Sequence, residues 1–400
     1  MRLRTFESFW LLKNGLMYSY PSLKENEACD IVVIGGGITG ALISDALLEN
    51  GYDVIVLDKR DIGQGSTSAT TSMLQYEIDV SMHKLSEMIG EKGAALCYGA
   101  GIDAINELEA LIKDRKIKCG FERKKSIYFA HNVKAVNDLK KEFALRNKHL
   151  QGVTWMEKDA LWDKYGLVSE GGIVSEAAAS MDAYAFTHEL IRQNVKKGLR
   201  VYDQTTIKTV DHSRKGVQVT TEEGAVIKAK KVVYCSGFET TEILKENIAK
   251  LFYTYATVGE RNVENTQKLK DVLLWNTEDP YLYLRTTDDG RLLLGGEDTS
   301  SHIPFFEQKR KEKKSNALQK KLKAILPHID FVEDFSWGGT FGSTSDGLPY
   351  IGVSPEYKNA LFVLGFGGNG ITFSVQGRQI ILDILQKKKS PLAKFYRFGR

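Results

Sequence analysis

Gly35, Gly37 and Gly40 are set as GxGxxG in "DIVVIGGGITGALI". Glycines at this spacing let the backbone approach a pyrophosphate, and the helix that follows offers its free N–H groups to it. Asp58 closes "YDVIVLD" about twenty residues later, where a carboxylate can accept hydrogen bonds from a ribose diol. An acid there, rather than a basic residue, argues against a 2′-phosphate. A second set lies in "DPYLYLRTTDDGRLLLGGE", a hairpin turning at Asp289–Gly290. Its period of two puts Tyr281, Tyr283 and Arg285 on one face and Leu282 and Leu284 on the other. "LFYTYATVGE" likewise aligns Tyr253 with Tyr255. Aromatic faces can hold an amine cation and an arginine can clamp a carboxylate. These five side chains are therefore candidates for a substrate site, with plain sheet packing as the alternative for each aromatic.

Strands and helices that carry these residues can be read on either side of them. Ile31 to Ile34 is a β-branched run suited to a buried parallel strand, and Ile38, Leu42 and Ala46 then recur at helical spacing up to a stop at Asn50–Gly51. Strand, tight turn, helix and acid together predict a dinucleotide site, open at this point to NAD or FAD. "RDIGQGSTSATTSMLQYEID" follows the second strand, on the side where such folds bind their ligand. "GVQVTTEEGAVIKAKKVVYCSGFE" reads as an antiparallel meander returning to the parallel sheet, an insertion foreign to the strand–helix alternation of a nicotinamide fold. Near the C-terminus, a strand at Leu361–Leu364, a glycine cluster from Gly365 to Gly370 and a helix from Ile371 to Leu385 repeat the opening unit. A second helix N-terminus there could hydrogen-bond a carbonyl-bearing ring that gains negative charge on reduction.

In that order, "IVVIGGGITG", "GQGSTSATTS", "AKKVVYCSG", "SDGLPYIG" and "LGFGGNGITFS" resemble the D-amino-acid oxidase superfamily of flavoproteins. Glycine oxidases, monomeric sarcosine oxidases and γ-glutamylputrescine oxidoreductases are among its branches. The resemblance runs from about Asp30 to about Leu385 and implies FAD, an interleaved two-domain fold and oxidation of a C–N bond in an amine or amino acid. It also implies FAD contacts at Gly35, Gly37, Ile38, Thr39, Gly40, Asp58 and Lys59. Further contacts fall at Gly65, Ser66, Thr67, Ser68, Thr71, Ser72 and Met73, then at Ile207, Cys235 and Gly237. The last group is Gly367, Gly368, Asn369, Gly370 and Ile371. Where some members attach the flavin covalently, this chain has Ala69 and the neighbourhood of Gly339, so non-covalent FAD is expected. Where glycine oxidases bind the substrate carboxylate with arginines it has Phe341 and Gly368, and where sarcosine oxidases carry an oxygen-activating lysine it has Leu293. Phe341 joins the candidate substrate pocket.

The 400 residues, 42 % hydrophobic and 26 % charged with a net charge of +4, are those of an ordinary globular protein. No apolar run is long enough for a membrane span, and neither a disulfide framework nor a metal site emerges from the scattered Cys29, Cys97, Cys119 and Cys235. A cytoplasmic location, structural thiols and no membrane partner are expected. The predicted architecture is α/β. A doubly wound FAD domain draws on 28–82, 171–250 and 337–386, and an antiparallel-sheet substrate domain on 83–170 and 251–336. Residues 1–27 form an N-terminal extension and 387–400 a solvated basic tail. The expected partners are a small amine or amino acid and an electron acceptor, O2 or another. Two other readings keep the flavin: action on an amino-acid-like group of tRNA, and a flavin-binding subunit needing a partner for turnover. Nucleic acid is not the expected partner, for no basic domain interleaved with aromatics is present.

Overall fold

Short β-branched runs far apart in the sequence come together as one parallel sheet in the computed structural model, which describes residues 3–300 and 307–400. Residues 1–2 of the expected extension and 301–306 of the expected substrate domain lie outside those described. Strand Glu27–Ile34 lies between Val54–Leu57 and Val226–Tyr234, parallel to both. Arg200–Tyr202 extends the sheet on one side and Ala360–Leu364 on the other, again parallel. Tyr350–Val353 pairs antiparallel at the edge, and the meander Ile207–His212, Val217–Thr221 folds back antiparallel onto Val226–Tyr234. Val32, Val33, Ile55 and Val56 are fully buried because both faces are covered. Helices Ile38–Glu49, Glu91–Arg115, Ala183–Val195 and Gly370–Leu385 supply one cover.

A second sheet of ten strands stands across from this one. Its order runs from Arg4–Thr5 through Glu333–Ser343, Lys250–Gly259, Leu292–Thr299, Tyr283–Thr286 and Val272–Asn276 to Glu122–Phe129, Gly171–Ser180 and Met73–Gln75. Val153–Glu157 pairs beside Gly171–Ser180. All pairs are antiparallel except Val272–Asn276 with Glu122–Phe129. Met73–Gln75 and Gly171–Ser180, which the sequence reading assigned to the nucleotide segments, pair in this sheet instead: Leu74 lies opposite Ala179 and Ile127 opposite Val174. Helix Glu307–Ile325 covers the outer face, burying Leu318 and Leu322 against Tyr253 and Tyr255. Among the described residues no helix is long and apolar enough to cross a membrane.

The N-terminal extension is part of the fold, whereas the C-terminal tail differs from its expected role. Trp10 is buried and its Nε1 donates to the Thr70 carbonyl at 2.6 Å. The basic tail is docked rather than solvated: Tyr396 is fully buried and donates to Gln376 at 2.7 Å, Phe398 joins the core, and Arg400 pairs with Asp346 at 2.7 Å. Aromatic side chains interleaved with the lysines and arginines give the segment an apolar face to bury.

Candidate functional site

A cavity of about 500 Å³ opens where the carboxyl ends of the parallel strands face the second sheet. Gly35, Gly37, Ile38 and Thr39 line it from the first turn. Gly35 has φ +110°, and a Cβ there would stand 2.5 Å from the Cys235 carbonyl oxygen, so only glycine fits. Gly40 is absent from the wall; a Cβ there would lie 1.8 Å from the Gly35 oxygen, so this glycine lets the helix close onto its own turn. The Ile38 N–H donates to Thr67 Oγ1 at 3.0 Å, tying the turn to the Ser/Thr loop.

Asp58 lines the same cavity and already organises the turn, its Oδ2 accepting the Gly36 N–H at 2.7 Å and its Oδ1 the Arg60 N–H at 2.9 Å. Burial raises its pKa against those hydrogen bonds. Lys59 and Arg60 also line the cavity, and both pair with Glu239 at 2.8 Å. Although burial opposes it, Arg60 and Lys59 hold Glu239 below the usual carboxylate range.

From the Ser/Thr loop, Gly65, Ser66, Thr67, Thr71 and Met73 reach the wall. Ser68 and Ser72 do not. Ser68 Oγ donates to the Gly65 carbonyl at 3.0 Å, while Ser72, at φ +54°, gives its Oγ to the Ala183 N–H and its carbonyl to Arg285. Ile207, Cys235 and Gly237 line the cavity opposite the turn. So do Gly367, Gly368, Gly370 and Ile371, whereas Asn369 turns away and donates to the Gln75 carbonyl at 2.9 Å. The four cysteines are free thiols, and burial pushes Cys29, Cys97 and Cys119 up to about 12.

On the second sheet Tyr283 and Phe341 line the cavity together with Tyr281 and Thr254. The other three predicted substrate residues lie elsewhere. Arg285 shares the face of Tyr283, but the loop carrying Ser72 folds over it. It is 3 % exposed, and its Nη1 donates to the Ser72 and Met181 carbonyls at 2.9 and 3.3 Å. Burial in that position pulls its pKa down to about 10. Tyr253 and Tyr255 do share a face, but it is the one packed under helix Glu307–Ile325, and Thr254 between them faces the cavity instead.

Sequence reasoning missed two acids. Asp298 lines the cavity at the end of strand Leu292–Thr299. In the register Tyr253 opposes Thr299 and Tyr255 opposes Gly296, so Thr254 faces the two residues Glu297 and Asp298, a β-bulge. Glu297 takes φ +59°, and Gly296 takes φ +138° with a Cβ position 2.5 Å from the Tyr281 oxygen. No periodicity signals such a bulge; the only trace is the Gly-Gly pair before Glu297. Asp79 stands behind the wall, accepting the Gly368 N–H at 3.0 Å and the Tyr281 hydroxyl at 3.3 Å. Burial pushes it up to about 6 despite those donors.

The glycine cradles at Gly35 and Gly367, the acid at the second strand end and a second helix N-terminus at Gly370 fit a dinucleotide that carries a reducible ring. Across residues 30–381 the chain matches the DAO family model, FAD dependent oxidoreductase. The chain belongs to this FAD-dependent oxidoreductase family. FAD is its cofactor, and with Ala69 and Gly339 lining the cavity no side chain at those places can bond it covalently. The Putative Rieske 2Fe-2S iron-sulfur protein YhfW of Bacillus subtilis (strain 168) is 23 % identical over 98 % of this chain and 75 % of its own. Gamma-glutamylputrescine oxidoreductase of Escherichia coli (strain K12) is 24 % identical over 92 % of this chain and 86 % of that protein. The crystal structure of glycine oxidase from Geobacillus kaustophilus superposes with a TM-score of 0.76 at 20 % identity, covering 94 % of this chain and 100 % of that one.

Proposed function

We propose that this flavoprotein oxidises the C–N bond of a small amine or amino acid. The observation carrying this reading is one cavity that runs from the nucleotide turn at Gly35 to an aromatic wall of Tyr281, Tyr283 and Phe341. FAD, when bound, supplies the acceptor for a hydride leaving the substrate's α-carbon. The first turn and Asp58 hold the nucleotide, and the Gly367–Ile371 segment presents a helix N-terminus to the ring. Tyr281, Tyr283 and Phe341 exclude water from the substrate and orient its α-carbon. Released imine is hydrolysed by water. In this reading the nucleotide sheet with its helices forms the FAD domain, and the ten-stranded sheet forms the substrate domain.

The test is an anaerobic titration of the purified yellow protein with glycine, sarcosine, proline, D-amino acids and aliphatic diamines, followed by flavin absorbance. Bleaching by one of them is expected; a flavin that stays oxidised with all of them overturns the reading. A second reading concerns the acceptor: the likeness to a relative named as a Rieske iron-sulfur protein favours a one-electron carrier over O2. Slow recovery of absorbance in air, with rapid recovery on adding a one-electron dye, is the expected result.

A further inference from the structure

Resting on the amine-oxidation reading, we infer that the substrate carries a second, non-reacting cationic group and that Asp298 receives it. The β-bulge is the structural cause. Two residues opposite Thr254, rather than one, turn Glu297 outward to Lys314 and Lys321, at 3.0 and 2.6 Å, and leave Asp298 on the cavity wall. A non-glycine residue at φ +59° is strained, and the fold accepts that strain beside this site and in no regular part of the strand.

The charge on Asp298 is answered locally only in part, by the Thr254 hydroxyl and by Lys314. Its Oδ1 is buried with no hydrogen-bond partner among the described residues. The charged groups acting on it are Lys314, Asp279 and Glu297; Lys314 is already engaged by Glu297. From the opposite side Asp79 adds negative charge behind Tyr281. The cations on the described cavity wall, Lys59 and Arg60, stand at the Asp58 turn and pair with Glu239. Arg285, the expected carboxylate clamp, is sealed beneath the Ser72 loop.

A substrate carboxylate beside Asp298 would therefore meet like charge, with the cations of the described wall already paired to Glu239, whereas a cation meets a carboxylate and the faces of Tyr281, Tyr283 and Phe341. The reacting nitrogen must be neutral to release hydride, so the cation is a different group of the same molecule. The substrate class is a diamine or N-substituted diamine.

The experiment uses the holoenzyme and two readouts. Anaerobic flavin reduction is compared for butane-1,4-diamine, butylamine and 4-aminobutanoate. Saturable perturbation of the flavin spectrum by tetramethylammonium, which has no lone pair and cannot be oxidised, reports binding alone. The diamine is expected to half-reduce the flavin at a concentration about tenfold or more below either analogue. Asp298→Asn is expected to abolish that preference and weaken tetramethylammonium binding about tenfold, with Asp298→Glu restoring part of both. Equal reduction by 4-aminobutanoate and the diamine, unchanged in Asp298→Asn, overturns the inference and leaves amine oxidation standing. Asp298-dependent tetramethylammonium binding without reduction by any amine supports the cation site and overturns amine oxidation. Flavin content and melting temperature of each variant establish that it is folded.

Discussion

Asp58 closes its turn through two backbone N–H groups, so its loss opens the cradle as well as removing the proposed ribose acceptor. Asp58→Ala is expected to lower the flavin-to-protein ratio after gel filtration about tenfold, the equivalent of one charge-assisted hydrogen bond. Arg285 has the opposite character. The sequence places it in the substrate site; the structure makes it the prop under the Ser72 loop. Arg285→Met is expected to cost about 2–4 kcal/mol in urea unfolding, from carbonyls left without their donor, and to leave KM unchanged. Asp79 contributes a pH dependence of its own. Its pKa rises from 3.8 unfolded to about 6 folded, chiefly by burial, with Tyr281, the Gly368 N–H and the charge of Asp298 facing it. A carboxyl raised on folding contributes stability below pH 3.8 and loses it as pH climbs through about 6. Asp79→Asn is therefore expected to gain stability over the parent at pH 8 and none at pH 4, in thermal unfolding scans across that range.

At the scale of elements, legibility followed how local the determinant is. The turn at Gly35, the helix Ile38–Glu49, the acid Asp58 and the repeat unit from Ala360 to Leu385 are all read from neighbouring residues, and all appear where the pattern puts them. The faces of the second sheet were not legible. Period two correctly aligns Tyr253 with Tyr255, but which face looks inward is decided by helix Glu307–Ile325, some fifty residues on. Arg285 was misplaced because the loop that covers it comes from Ser72, and Asp298 was missed because a bulge breaks the alternation on which any strand reading depends. Gly295 shows how closely this sheet is fitted: a Cβ there would lie 2.3 Å from the Tyr283 ring. The obstacle is a side chain rather than backbone, so Gly295→Ala is expected to fold and keep its flavin. The displaced ring should raise KM several-fold in steady-state assays.

Over the whole molecule both chain ends serve as ties. Arg4–Thr5 pairs with Glu333–Ser343, and the C-terminal segment buries Tyr396 and Phe398. Deleting residues 396–400 is expected to lower stability by about 3–5 kcal/mol, the scale of removing a large aromatic from a core, as read by the urea midpoint. The placement of Val226–Tyr234 between Glu27–Ile34 and Ala360–Leu364 has a further consequence, in time rather than space. A ribosome delivers the first glycine turn long before the strand Ala360–Leu364 and the helix Gly370–Leu385 that complete its cradle. The nascent chain must hold its half-formed sheet, with unpaired edges exposed, until that strand has been made. Flavin loading thus follows synthesis of the second unit, and the early turn waits for its distant partner.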